Sequence, residues 1–571
     1  MKTLIPFVIF IVGSLSCATL QERHAPASTP PWLAHGETGM VASDSPHASR
    51  VGADILRAGG NAVDAAIATS FALAVTRPYS TGIGGGSFTI VSTPDGQITV
   101  QDARETAPAA AHRDMYSSPI ATAPPPSRMG FQAVAVPGLL KGRRALHQRM
   151  GTLPWESLLQ PAIDLADVGF PVDQHYVEAT SDVLEFYERY PALKDSCGYV
   201  YHHHLREGNL RQPGDLLRQP ALARTLRVIA REPETAFEQG PLATAWAKAM
   251  QDHGGLITTQ DFANYKLRYR EPFRFSFREY DVVTMPPPSS GGIALMETLS
   301  ILDQTPYATL VHTDRITATH LQIEAMRQAF ADRARWLGDA DYCEIPLATL
   351  TSPLYHKDLA NRVSETSRAE LQNCGMAQIP DDDGTSHFCI VDGAGMAIVS
   401  TETINTSFGS LAAIDEWGLI LNNEMDDFAA NPGKPNAYGL MQSECNAIEP
   451  GKRPLSSMSP TIVRKNGKIA LMLGGSGGPR IITSTLNVML GVLVRGESLE
   501  EAMLAIRPHH QWQPDEIYFD RAPDAGMLQL RRFGHEISEK KKTGVVQAIH
   551  RKGNKWIGAS DPRKGGRPAG Y

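Results

Sequence analysis

A threonine at an amino terminus carries its own base, and the run Asp383-Gly384-Thr385-Ser386-His387-Phe388 is laid out as a concealed version of one. The hydroxyl alone is a poor nucleophile at neutral pH. A free α-amine on the same residue, with a pKa of about 8, accepts its proton directly or through one water. Cleavage of the Gly384–Thr385 bond would create that amine, with no histidine–aspartate relay required. The flanking pattern suits the role: residues 385–391 are rich in β-branched and aromatic side chains, 392–395 form a turn cluster, and 396–403 read as a returning strand. A loop at Gly393-Ala394 sets Thr385 opposite Glu402 and within one residue of Thr403, so that Thr403 and Asn405 flank the nucleophile. Upstream, residues 380–384 are polar and turn-forming and end in the least hindered residue, as an exposed cleavable link requires. Taken alone, the stretch also fits an ordinary hairpin with a threonine at its edge.

Other residues could bind a charged substrate. Arg104, where the strand 97–102 hands over to a polar loop, can clamp a carboxylate through two parallel hydrogen bonds, or form a surface ion pair. Asn422-Asn423-Glu424-Met425-Asp426-Asp427-Phe428 gathers three acids in four positions, which suits an ammonium group or a solvated helix start. The strand 469–473 runs into Gly474-Gly475-Ser476-Gly477-Gly478-Pro479-Arg480 and then a helix reaching about Val494. Strand, glycine turn and helix in that order aim backbone amides at a developing negative charge. Gly82–Gly86 runs the opposite way, from helix to strand, and lacks a Lys-Ser/Thr ending, so it reads as close backbone packing and not as a phosphate loop. Tyr438, in the loop-like stretch 432–450, is placed as a lid residue. His202-His203-His204 reads as an exposed loop. Beyond Cys17 there are cysteines at 197, 343, 374, 389 and 445. No pair has zinc-ligand spacing, and an odd number leaves either a Cys197 disulfide or scattered free thiols open.

The elements that must hold these residues come in alternating kinds. Helices are expected over 49–58 and 62–76, the second apolar on most faces and therefore interior, then over 220–231, and as a long amphipathic helix over 314–337. Residues 285–292 form a rigid turn ahead of an apolar helix, and Ser498 with Glu501 forms a capping box. Short strands at 527–530 and 544–549 finish the chain. At 571 residues the chain can bury a large core, and its net charge of −7 gives no polybasic patch, which makes nucleic acid a poor candidate partner. Residues 1–18 have the lysine, apolar run and small residues of an export signal, placing the protein in the periplasm or outside the cell. Cys17 ends a weak lipobox, so lipid anchoring to the outer membrane and simple cleavage after Ala18 both stand. Residues 19–38 read as a flexible spacer.

Taken together, Gly82–Gly86, Arg104–Pro108, Met285–Gly292, Thr385–Phe388, Asn422–Phe428, Arg453–Pro460 and Gly477-Gly478 resemble the γ-glutamyltransferases, glutathione hydrolase proenzymes of the N-terminal nucleophile superfamily. The resemblance runs from about Met40 to Tyr571. It implies an α+β fold, a four-layer αββα sandwich, with two subunits from one self-cleaved precursor: residues 39–384 and 385–571. It implies that Thr385 is both nucleophile and cleavage point after Gly384, supported by Thr403, with Gly477 and Gly478 as the oxyanion hole. Arg104, Ser456 and Ser457 would hold the α-carboxylate of the γ-glutamyl group, and Asp427, Glu424 and Asn405 its α-ammonium, beneath a lid carrying Tyr438. Glutathione and other γ-glutamyl compounds would be the donors, and water, amino acids or dipeptides the acceptors. No metal or organic cofactor is implied. Gly474-Gly475-Ser476 departs from the family pattern and leaves the shape of the following turn open. The rival readings are an acylase of the same fold acting on glutaryl or cephalosporin-type amides, and a non-catalytic protein that binds γ-glutamyl compounds.

Overall fold

Two seven-stranded sheets lie face to face between two layers of helix, the αββα sandwich expected. The computed structural model describes residues 29–117, 123–371, 384–429, 443–541 and 544–571; residues 1–18, read above as an export signal, and Cys374 and Tyr438 lie outside them. One sheet has the order Ala569–Gly570, Met40–Ser43, Thr385–Val391, Ala397–Thr403, Gly86–Ser92, Ile98–Ala103, Arg268–Arg270. The other runs Leu33–Gly36, Lys555–Ser560, Val545–Lys552, Lys468–Ser476, Thr461–Lys465, Tyr280–Thr284, Phe273–Phe277.

Strand periodicity explains the layering, because successive side chains point to opposite faces. Phe88, Cys389, Val391 and Val399 of one sheet meet Ile462, Met472 and Ile549 of the other. The alternate residues Phe388, Ile390 and Ile398 pack on helices Pro46–Arg57 and Ala62–Thr76. On the far side, Val463, Leu471, Val546 and Ala548 pack on helices Gly291–Asp303 and Arg480–Leu493. A central strand is therefore buried at every position, as Thr385–Val391 is, and 388–391 form an unbroken apolar run. Helix Ala62–Thr76 is buried along its whole length and opens with an Asn61–Asp64 capping box. Pro220–Arg231 and the Ser498–Glu501 capping box fall where expected.

Several expectations are corrected. The hairpin register is displaced by one residue: Thr385 pairs with Thr403 itself and Val391 with Ala397. The turn is not a two-residue loop. Asp392 Oδ1 accepts hydrogen bonds from the backbone N–H groups of Ala394 and Met396, and Gly395 takes φ 90°, which closes a longer loop. Within the spacer 19–38, Leu33–Gly36 is an edge strand on Trp556–Ala559, covering backbone groups that the sheet would otherwise leave unpaired. Residues 527–533 form a 3₁₀ helix, not a strand. The histidine run is a helical turn and not a loop, and it is exposed only in part: His202 faces solvent, whereas His204 is fully buried, its ring packed against Phe408 and bonded to the Tyr176 hydroxyl. Helix Arg315–Trp336 has the expected bounds but is not amphipathic; His320, Glu324, Arg327 and Arg333 are all buried along with its apolar residues. Cys343 and Cys445 form a disulfide, while Cys197 and Cys389 are buried thiols. Among the described residues no helix is long and apolar enough to cross a membrane.

Candidate active site

Thr385 opens its strand at the end of the sandwich, on the face shared by His387, Cys389 and Val391. Its hydroxyl lies 3.1 Å from that of Thr403 on the paired strand. Thr403 Oγ1 in turn donates to the Gly384 carbonyl oxygen at 2.8 Å and accepts the backbone N–H of Asn405 at 2.7 Å. Since Thr403 has a single proton and gives it to Gly384, the consistent polarity has Thr385 donating to Thr403. One hydroxyl thus polarises the carbonyl ahead of Thr385 and accepts from the hydroxyl behind it. Gly384 is required by space: a Cβ there would sit 2.4 Å from the Thr406 carbonyl carbon and 2.5 Å from the Asn405 oxygen.

Lys564 holds the other side of Thr385. Its ammonium donates to the Thr385 carbonyl at 2.6 Å and to Ser80 Oγ at 2.9 Å, and pairs with Asp44 at 3.0 Å. Ser386 Oγ donates to the same Asp44 carboxylate. His387 points between the sheets and hydrogen-bonds Thr401 at 2.8 Å, and burial pulls its pKa down to about 3. It is a neutral packing residue and does not serve as a base.

A cleft of some 330 Å³, open mouth included, runs from Thr385 past Thr403, Asn405, Arg104, Asp427, Ser456, Ser457 and Gly478. These eight expected residues come together from six separate stretches of chain. Glu424 lies just behind, ion-paired with Arg104 at 2.8 Å, and Gly477 adjoins Gly478 without lining the cleft. Gly477 and Gly478 have φ of 114° and 56° and lead through Pro479 into helix Arg480–Leu493, a conformation that requires glycine. The departure noted at Gly474–Ser476 resolves simply: these residues continue the strand, paired with Val545–Gln547, and Gly474 leaves room for the His387 ring.

Charges are concentrated at one end of the cleft. Arg104 is 1 % exposed, donates to Asp427 at 2.5 Å, and forms ion pairs with Glu424 at 2.8 Å and Glu105 at 3.6 Å. Three carboxyls around one guanidinium cannot all ionise freely in a buried site. Burial raises the pKa of Glu105 to about 8 and also raises those of Glu424 and Asp427, with Arg104 opposing each shift. The result is a buried end of the cleft where three carboxyls share one guanidinium. Asp102 fixes it from below, accepting from the Arg104 backbone N–H at 3.0 Å and from Arg453 Nε at 3.1 Å. Arg453 begins the loop that carries Ser456 and Ser457, and Ser289 and Ser290 of the 285–292 turn pin that loop through Met458 and Ser456 carbonyls at 2.7 Å. Asn446, beside the disulfide, ties the two halves by donating to the Asp427 carbonyl and accepting the Leu455 N–H.

Arg333 and Lys564 also belong to this neighbourhood, and sequence reasoning passed over both. One is a mid-helix arginine and the other a lysine 179 residues from the carbonyl it bonds; neither lies in a local motif. A second buried cluster, His320, Glu324 and His535, is the one group among the described residues whose spacing approaches a metal site. There His320 Nδ1 bonds His535 Nε2 directly at 2.7 Å and Glu324 is already committed to Arg327 at 2.8 Å.

Comparison with known proteins agrees with this geometry. Residues 48–571 match the γ-glutamyltranspeptidase family model. A glutathione hydrolase proenzyme of Pseudomonas sp. (strain A14) is 39% identical, the alignment covering 98% of this chain and 95% of that one. One from Escherichia coli (strain K12) is 40% identical over 92% of this chain and 90% of the other. Among solved structures, a cephalosporin acylase from Bacillus halodurans superimposes with TM-score 0.83 at 26% identity, covering 97% and 99% of the two chains. A γ-glutamyltranspeptidase from Pseudomonas nitroreducens gives TM-score 0.52 at 36% identity, covering 57% of this chain and 94% of the other. With a family model spanning nearly its whole length and relatives near 40% identity, this chain belongs to the γ-glutamyltranspeptidase family.

Proposed function

We propose that the protein is a self-processing γ-glutamyltransferase that cleaves glutathione and related γ-glutamyl compounds through a γ-glutamyl ester on Thr385. The observation that carries the reading is the chain of contacts Thr385 hydroxyl, Thr403 hydroxyl, Gly384 carbonyl, at 3.1 and 2.8 Å, at the head of a cleft with a buried acidic end. In maturation Thr385 Oγ1 attacks the Gly384 carbonyl carbon and passes its proton toward Thr403. The C–N bond then breaks, the amine leaves with a proton, and an ester joins residues 384 and 385 through oxygen. Water hydrolyses that ester, leaving a carboxylate on Gly384 and a free amine on Thr385. The products are subunits 39–384 and 385–571, with residues 1–18 directing export.

In turnover the same hydroxyl attacks the γ-carbonyl of the donor, its proton taken by the new α-amine and delivered to the leaving amine. The Gly477 and Gly478 amides receive the oxyanion, and water or an amino group completes the cycle. Asp427, Glu424 and Asn405 take the donor's α-ammonium; Arg104, Ser456 and Ser457 take its α-carboxylate; Tyr438 belongs to the lid. Matching both charges selects a free γ-glutamyl end, because a buried charge left unpaired is costly.

The fold-level likeness to a cephalosporin acylase keeps one alternative in view. An acylase substrate without an α-ammonium would leave the acids around Arg104 unmatched. Comparing turnover of a γ-glutamyl anilide with that of the corresponding glutaryl amide tests the choice. Preference for the γ-glutamyl compound is expected, and preference for the glutaryl compound would overturn the proposal.

A further inference from the structure

Cys343 and Cys445 are joined across the 384–385 link, and their bond lies one residue from a group that orders the cleft. Asn446 is fully buried. Its Nδ2 donates to the Asp427 carbonyl at 2.7 Å, its Oδ1 accepts the Leu455 N–H at 2.9 Å, and its own carbonyl accepts the Ala429 N–H at 2.9 Å. One residue thus sets the segment that carries Asp427 against the loop that carries Ser456 and Ser457. The stretch around Asn446 has little regular structure of its own: Glu444–Asn446 is a single 3₁₀ turn, too short to persist by its internal hydrogen bonds. It is tied to the residues ahead of Gly384 by the Cys343–Cys445 bond, by an exposed ion pair of Glu444 with Arg113 and, further along, by the Tyr342 hydroxyl donating to the Pro450 carbonyl at 3.1 Å. Exposed ion pairs contribute little, so the covalent link is the firmest of these.

Both cysteines of the pair are half-buried, within reach of a small thiolate, whereas Cys197 and Cys389 are enclosed. We propose that the Cys343–Cys445 disulfide is a thiol-sensitive clasp on the cleft: intact, it holds Asn446, and with it the Asp427 and Ser456–Ser457 segments, in register; reduced, it releases them and weakens donor binding. The inference rests on the γ-glutamyl reading above and adds a regulation to the same site. The reductant is a low-molecular-weight thiol, the chemical class of glutathione itself. Its thiolate attacks one sulfur, the S–S bond breaks, the other sulfur leaves as a thiolate and takes a proton from water, and a mixed disulfide remains. A second thiol attacks that mixed disulfide. Two small thiols have then given up two electrons and left as one disulfide, and the protein has gained two thiols. The two parts of the chain stay together without the bond, because Phe388–Val391 pairs with Met40–Ser43 and Ala397–Thr403 with Gly86–Ser92.

The test uses the mature wild-type enzyme in three states: oxidised, reduced with dithiothreitol, and reoxidised with oxidised dithiothreitol, a disulfide that carries no γ-glutamyl group. A gel run without reductant after alkylation reports the bond, and gel filtration reports whether the two chains stay paired. On a γ-glutamyl anilide, reduction should raise KM about tenfold, the effect of loosening one buried hydrogen bond, while kcat changes by less than about threefold. Reoxidation should restore the original KM. Cys343→Ser should show the raised KM from the outset and ignore thiol, and Asn446→Ala should do the same with its disulfide intact. A response to thiol in either variant would contradict the route through Asn446. An unchanged KM in enzyme whose bond is shown to be reduced, a bond that resists reduction in the folded protein, a loss confined to kcat, or separation of the chains on reduction would overturn the proposal, and these wild-type measurements decide it even where a variant fails to fold. Oxidised enzyme that prefers a glutaryl amide to the γ-glutamyl anilide would instead count against the γ-glutamyl reading, and the clasp is then read from KM on that amide.

Discussion

Replacing Thr403 by valine keeps the shape of the side chain and removes one hydroxyl, which makes it the sharpest probe of self-cleavage. Three contacts go with it: the bond to the Gly384 carbonyl at 2.8 Å, the bond from the Asn405 N–H at 2.7 Å, and the contact with Thr385 at 3.1 Å. Charge develops on the Gly384 oxygen as Thr385 attacks, so losing a preorganised donor there should raise the barrier by about 3 to 4 kcal/mol, slowing cleavage on the order of 100- to 1,000-fold. The Asn405 N–H, in a residue only 3 % exposed, is left without that acceptor at a cost of about 1 to 3 kcal/mol of stability. The assay follows fragment appearance on a reducing gel from freshly purified precursor, with denaturant unfolding in parallel. Thr403→Ser, which keeps the oxygen, should cleave within about tenfold of wild type. Cleavage of Thr403→Val at the wild-type rate, with the stability loss present, would refute the role assigned to this hydroxyl.

Two further outcomes follow from the same geometry. Cys343 and Cys445 lie on opposite sides of the 384–385 link, with Cα atoms 5.6 Å apart, so mature protein should run as one band without reductant and two with it; Cys343→Ser should give two bands in both gels, and two bands from non-reduced wild type would contradict the pairing. Burial pulls the pKa of His387 down to about 3 and, with His510 and His320 adding to the effect, that of His535 to about 2. Both lie below the ordinary 6.5, so the unfolded chain binds protons first as pH drops: stability is complete above about pH 6.5 and is lost as pH falls from there toward the folded values, by up to about 1.4 kcal/mol per pH unit per group. Denaturant midpoints at about pH 7.5 and about pH 5 check this, and equal midpoints would contradict neutral buried imidazoles.

The layers and most of the cleft were legible because their signals are local. Residues 388–391 are an unbroken apolar run because both faces of the strand are covered, and Gly477-Gly478 follow a strand because the turn needs positive φ. What escaped was set by contacts distant in sequence or by a single side chain. The hairpin register moved by one residue because the Asp392 carboxylate, not a two-residue turn, organises the loop. The Cys343–Cys445 pair spans 102 residues with no motif to join its ends. His204 was read as exposed from its polar neighbours, whereas Tyr176 and Phe408 enclose it. Arg333 carried no signal, since a charged residue in a long helix is ordinarily solvated, and only the packing of that helix against the 285–292 turn turns it toward the cleft.

The most direct test of the central claim is terminal sequencing of the smaller band from the purified active protein on a reducing gel, alongside Thr385→Ala. The account predicts a sequence beginning Thr385-Ser386-His387-Phe388 and a single inactive chain for the variant. Active protein in which residues 384 and 385 remain joined by an amide, or normal cleavage in Thr385→Ala, would contradict it.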